Sequence, residues 1–160
     1  FKESIYLDLA KKAIDLMISP LEKGGTARYF NGKEVVFMEF MDTPCVLNGW
    51  IFSLFGLYDF LIVNNDSRYS EIYAKSISTL KEYMDKFDNQ YWSNYNEKGM
   101  VSSPFYHKLH IAQLSAIELI DSDDTWKTFK NRFINYQQKK LNRIRAFYKK
   151  VFQKLFTKNG

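Results

Sequence analysis

Tyr106, His107 and His110 lie within the ten residues FYHKLHIAQL (Phe105–Leu114), and Tyr95 and Lys98 precede them by a few positions. Tyrosine, histidine, lysine and glutamate are side chains that give and take protons in active sites. A tyrosine, with an unperturbed pKa near 10, serves as a base only where positive charge lowers that value; otherwise it works as the acid that returns a proton. The carboxylates that could partner it are Glu39 and, less directly, Asp42 and Glu97. His107 and His110 share a helical face at i, i+3 but have no supporting carboxylate, so they read as hydrogen-bonded structural or substrate-lining residues rather than metal ligands. Tyr91 and Trp92 offer aromatic faces of the kind that pair with the C–H face of a pyranose, whereas Trp50, inside an apolar stretch, reads as core. The single Cys45 cannot close an internal disulfide, and no metal-ligand set of Cys and His exists. No phosphate-binding loop, nucleophile elbow or dinucleotide fingerprint is present.

These residues need elements to hold them. Residues 2 to 18 predict a helix with Ile5, Leu9, Ala13, Leu16 and Met17 inward, stopped by Ser19-Pro20 and Gly24-Gly25. A hairpin follows, with Arg28 to Phe30 and Glu34 to Phe37 as its arms around Asn31-Gly32, the pair best able to take positive φ at both centres of a tight turn. Its second arm delivers Glu39. Val46 to Val63 is apolar nearly all round and predicts a buried helix, in which Gly49 and Gly56 signal close packing or ligand approach. Ser67 to Phe87 predicts an amphipathic helix capped by Asp66 or Ser67. Tyr91 to Ser103 is a polar, extended segment with Gly99 as a turn. Pro104 opens a helix through Ile120, and Asp123 or Asp124 starts another that runs into the tail and carries Trp126, Phe129 and Phe133.

With 160 residues, 46% of them hydrophobic and 18% aromatic, the chain is expected to be a packed globule. The opening FKESIYLDLAKKAIDLM lacks the order of a signal peptide, and no apolar run reaches transmembrane length. The net charge of +5 conceals a division: residues 137–160 hold eight Lys or Arg and no acid, leaving 15 basic against 18 acidic residues before them. In that tail Leu141, Ile144, Tyr148, Val151 and Leu155 recur at steps of three and four, which predicts a basic amphipathic helix. Such a helix packs its stripe on the domain, lies on an anionic membrane surface, docks on a protein or binds an acidic polymer. No nucleic-acid recognition motif accompanies the charge, so nucleic acid is not an expected partner.

Two segments carry a resemblance. MEFMDTPCVLNGWIFSLFGLYDF (Met38–Phe60) is similar to an EEYPTTP-like loop followed by VLNGF…SL.GLYDL, and FYHKLHIAQL to a (W/F)xYHxxHIxQL segment. Both belong, in this order, to the D-glucuronyl C5-epimerases of uronate-containing polysaccharides. The resemblance spans most of residues 1–136 and implies a mainly α fold: a partial (α/α) barrel or toroid of antiparallel helix pairs, with short β-hairpins lining a cleft. It implies two parts, a C5-epimerase C-terminal-like helical domain at 1–136 and the basic helix at 137–160. The family is longer, so the chain is expected to correspond to its carboxy-terminal part.

The activity implied is cofactor-free inversion at C5 of glucuronate units in a polymer, giving iduronate. Such a reaction removes the proton α to the carboxylate and returns one on the opposite face, with a cation stabilising the enediolate-like intermediate. Matched position by position, Tyr106 and Glu39 form the opposed acid/base pair, Tyr95 is a second catalytic tyrosine, and Lys98 stands where the family has an arginine. Lysine supplies that charge without the bidentate fork. Asn48, His107, His110 and Trp92 are the remaining expected substrate-binding residues. The sequence departs from the pattern at Phe40, which replaces a tyrosine beside Glu39 in a loop about two residues shorter. Phe40 favours the alternative, a catalytically degenerate scaffold or acidic-glycan-binding protein of polysaccharide biosynthesis. A hydrolase would need two carboxylates across a cleft, and a lyase would use similar proton abstraction but eliminate the 4-linked sugar. Expected partners are the acidic polysaccharide, a membrane surface or protein at residues 137–160, and a second copy in a homodimer; the implied compartment is cytoplasmic or peripheral to the cytoplasmic membrane if bacterial, the Golgi lumen if animal.

Overall fold

The computed structural model describes residues 4–156. Among these residues the fold is mainly helical, with six α-helices and a two-stranded sheet: α1 (Ser4–Met17), β1 (Ala27–Phe30), β2 (Glu34–Phe37), α2 (Leu47–Val63), α3 (Ser67–Tyr83), α4 (Pro104–Ile117), α5 (Asp124–Gln138) and α6 (Lys140–Phe156). The chain divides into two compact units, Phe1–Cys45 with Gly49–Leu80, and Val46–Asn48 with Lys81–Gly160.

In the first unit the expected turn is realised. Asn31 and Gly32 have φ of 50° and 68°, Lys33 N–H donates to the Phe30 carbonyl at 3.0 Å, and the antiparallel arms pair Ala27 with Phe37 through Phe30 with Glu34. Val35, Val36 and Phe37 of β2 are buried with Trp50, Ile51, Leu54 and Leu57 of α2. Two polar contacts inside this core are satisfied: Trp50 Nε1 donates to Ser76 Oγ at 2.8 Å, and Val35 N–H to Thr79 Oγ1 at 3.2 Å. Asp66 caps α3 through a 2.9 Å bond from Arg68 N–H.

Two expectations fail here. The face of α1 expected inward is open, with Ile5, Leu9 and Leu16 exposed and Ile14 its buried residue. Polar ties hold the helix instead, since Asp15 accepts from Tyr69 Oη at 2.8 Å and pairs with Lys11 at 2.6 Å. Nor is α2 buried all round: Phe52, Ile62 and Val63 are exposed, because among the described residues of this unit no element lies over that side. Gly56 borders an apolar groove of about 420 Å³ lined by Ala10, Ala13 and Ile14 of α1.

In the second unit α4 packs on α5, and Leu114, Ile117, Trp126 and Phe133 are fully buried. Ser103 caps α4, its Oγ accepting from Tyr106 N–H at 3.3 Å, and Pro104 occupies the first turn, where a missing N–H does no harm. Asp123 caps α5 through a 2.9 Å bond from Thr125 N–H. The helix expected to continue into the tail breaks at Lys139, whose backbone is extended.

The tail helix is amphipathic as expected, and of the alternatives open to its apolar stripe the structure does not take packing on the described part of the domain. Ala146 is its buried residue, and Asn142, Lys150 and Gln153 are half-buried beside it. The stripe Leu141, Ile144, Tyr148, Val151 and Leu155 is exposed. At 100° per residue the contacting face lies about 175° from the centre of that stripe. Polar groups of the chain explain the choice: Gln153 accepts from Val101 N–H at 2.9 Å through Oε1 and donates to the Gly99 carbonyl at 3.0 Å through Nε2.

Candidate functional site

The segment from Asp88 to Ser103 is polar in sequence and densely bonded in the structure. Asn89 Oδ1 accepts from the backbone N–H of Tyr91 and Trp92, and its Nδ2 donates to Asn94 Oδ1. Asn94 in turn donates to the Lys86 carbonyl at 2.9 Å. Asn96 Oδ1 accepts from Lys98 and Met100 N–H, around Gly99 at φ 82°. Leu47 N–H, at the start of α2, donates to the Tyr95 carbonyl at 3.1 Å. At the base of the loop Asp88 accepts from Arg132 Nη1 at 2.9 Å and Tyr136 Oη at 3.3 Å; burial, with Asp88 adding to it, pushes the Tyr136 hydroxyl up to about 12.

This scaffold brings together two of the expected residues. The rings of Tyr95 and Tyr106 meet edge to face, their centroids 4.9 Å apart. Tyr106 is half-buried in the first turn of α4. Lys98 is exposed on the same loop. A cation that sequence reasoning missed, Lys150 of α6, has its Nζ 5.5 Å from the Tyr95 ring centroid; burial lowers its pKa, and neighbouring Lys154 lowers it further.

His107, His110 and Trp92 sit behind the tyrosines. Trp92 is 2% exposed and stacks on His107 at 3.7 Å, and its Nε1 donates to the Ser102 carbonyl. The two histidines are fully buried. Since the Phe133 carbonyl 3.0 Å from His107 Nε2 can only accept, that nitrogen carries the proton. His107 Nδ1 then accepts from Ser93 N–H at 3.2 Å and from Ser93 Oγ at 2.8 Å. Ser93 Oγ, so committed, accepts from His110 Nδ1 at 2.8 Å and Ser102 Oγ at 2.9 Å. Burial pushes His107 down to about 4 and His110, next to it, to about 3. Both are neutral near pH 7, and with Ser93 fully buried the cluster is an internal brace rather than a nucleophilic dyad.

Gln113, one turn beyond His110, donates to the Asn48 carbonyl at 3.0 Å and so fixes the first turn of α2. Asn48 is itself buried, and among the described residues its side-chain oxygen has no donor. The i, i+3 spacing of His110 and Gln113 was the available signal for Gln113. Ser93 and Gln153 gave none, because isolated polar residues in a loop or basic tail look solvated.

Glu39 belongs to the first unit and is exposed. Gly49 lies directly beneath it: a Cβ built there would stand 2.7 Å from Glu39 Oε2 and 3.1 Å from its Cβ. Phe40, the departure from the expected motif, is 54% exposed.

The sequence pattern of the family described as D-glucuronyl C5-epimerase C-terminus matches residues 1–135. The chain belongs to this family. Among curated proteins, the D-glucuronyl C5-epimerase of Caenorhabditis elegans is 28% identical over 157 residues, covering 85% of this chain and 25% of the relative. An uncharacterized protein of Methanocaldococcus jannaschii is 29% identical over 114 residues, covering 68% of this chain and 37% of that protein. The chain thus spans about a quarter to little more than a third of the length of these relatives, and the match to the C5-epimerase C-terminus stops just before α6.

Proposed function

We propose that this C5-epimerase-family chain acts in cofactor-free proton exchange at C5 of glucuronate units within an acidic polysaccharide, yielding iduronate. The observation that supports the reading is the Tyr95–Tyr106 pair, 4.9 Å between centroids, held at the start of α4 by a braced loop. In this reading a base takes the C5 proton, the electron pair delocalises into the carboxylate as an enediolate, and an acid returns a proton to C5 from the other face. Tyr106 is the proton-bearing group on one face and Tyr95 its hydrogen-bonding assistant. Lys98 is the cation for the sugar carboxylate. His107, His110 and Trp92 serve by holding the loop, and Asn48 by its place in the first turn of α2. Glu39 enters as the second proton-transferring group on the strength of the residue match alone. The partial α/α toroid likewise rests on the family resemblance.

The decisive experiment is incubation with non-sulfated and N-sulfated glucuronate polymers in D2O, reading deuterium at C5 by NMR. Exchange that is lost in Tyr106→Phe and in Glu39→Gln supports the reading, and appearance of iduronate separates epimerisation from unproductive exchange. A second reading, a glycan-binding protein without catalysis, is favoured by the exposed Phe40, which lacks the hydroxyl of the tyrosine it replaces. Polymer binding without exchange would select it.

A further inference from the structure

Helix α6 presents an unusual combination. It lies beyond the part of the chain that matches the family. Its contacts with the loop are made by Ala146, Lys150, Gln153 and Arg145, whose guanidinium lies 3.8 Å from the Tyr91 ring centroid, with Asn142 half-buried beside them. Its large apolar side chains point elsewhere: Leu141 is 80% exposed, Leu155 67%, Tyr148 68%, Phe147 59% and Phe152 56%.

Projected at 100° per residue, the apolar side chains from Phe147 round to Phe152 fill an arc of roughly 140°. Arg145 and Lys149 border it on one side and Lys154 and Arg143 on the other, while Lys140, at the first position of the helix, lies within the arc near its Phe147 edge. No acidic residue occurs from 137 to 160. Open grooves of about 730 Å³ and 550 Å³ flank the helix, each lined by its apolar and its basic side chains together. Among the described residues no helix is long and apolar enough to cross a membrane.

We propose that the outer face of α6 binds the surface of an anionic lipid bilayer, with the apolar arc entering the boundary between headgroups and acyl chains and the flanking Lys and Arg meeting lipid phosphates. Four considerations select this occupant. The positive charge is unrelieved and needs a negative surface rather than a mixed protein one. Cations on both edges of a wide aromatic and aliphatic arc match the geometry of a helix lying in a membrane interface. A purely acidic polysaccharide would meet the cations but leave the phenyl and leucyl groups in water. A second copy of the helix would bring cationic edges together. Because Gln153 and Lys150 reach the loop that carries Tyr95, the same helix would hold that loop close to the bilayer.

The test is co-sedimentation of the whole chain with phosphatidylcholine vesicles, with and without about a third phosphatidylglycerol. Binding to the anionic vesicles should weaken by about fivefold for each charge removed in Lys140→Gln and Lys154→Gln, and by about tenfold or more in Phe152→Ser/Leu155→Ser. Added salt should weaken it further. Since all four side chains are exposed, circular dichroism should show these variants folded. Absence of binding to anionic vesicles, equal binding to neutral ones, or retention of binding in the Phe152→Ser/Leu155→Ser variant would overturn the proposal. So would sedimentation velocity showing a dimer that these substitutions dissociate, or a soluble glucuronate polymer that displaces the chain from vesicles.

Discussion

The loop from Asp88 to Ser103 and helix α6 invert the usual relation between polarity and burial. The loop is built from Asn, Ser, Asp and Tyr, yet Ser93, Asn94, Asn96 and Ser102 are buried. The helix is rich in Leu, Ile, Val and Phe, yet most of these are exposed. The difference is one of satisfied hydrogen bonds. Each buried loop amide or hydroxyl has a specific partner, so desolvation is offset bond by bond. On α6, the side the loop can use is the one bearing Gln153, because the backbone groups of Gly99 and Val101 need an amide and not a methyl group.

The contrast is broken most severely at its buried end. His107→Ala should cost about 3 kcal/mol, since it removes the acceptor for Ser93 N–H, the donor to the Phe133 carbonyl and the ring on which Trp92 stacks; the urea midpoint reads it. Acid should act on the same place. An unfolded histidine protonates near pH 6.5, whereas folded His107 and His110 stay neutral to about 4 and 3. The unfolded state therefore binds more protons between those values. Stability, fully present above 6.5, should fall as the pH drops through 6.5 towards 4, at about 1.4 kcal/mol per pH unit for each histidine. Thermal melts from pH 7.5 to 4 should show this slope, and His107→Ala should flatten it. Gln153→Ala, which unpairs Val101 N–H and the Gly99 carbonyl, should cost about 1 to 2 kcal/mol, with increased amide exchange at Val101. The smallest effect belongs to Leu141→Ser at the exposed end, where the midpoint should move by no more than about 0.5 kcal/mol.

Much of the local structure was legible in the sequence. Asn31-Gly32 announced a turn with two positive φ values, Pro104 and Asp123 announced helix starts, and Trp50 read correctly as core because it sat in an apolar run. The tyrosines of the candidate site were legible only through the resemblance, since a tyrosine in a polar loop carries no sign of the ring it will meet. What stayed hidden has a common cause. Periodicity shows that α1 and α6 each have an apolar side but not what that side faces, and both helices leave it open. A hydrogen-bond network such as Ser93–His107–His110 depends on residues from two segments converging in space, and no single stretch of sequence contains that convergence.

Gly49 couples two parts of the chain that an engineer would otherwise treat as separate. A methyl group there would stand 2.7 Å from a Glu39 carboxylate oxygen, so position 49 is a steering point for a carboxylate ten residues earlier. Gly49→Ala would shift Glu39 without altering that residue itself. That makes the glycine a means of asking whether the location of this carboxylate matters independently of its chemistry, a question that no substitution of Glu39 itself can pose.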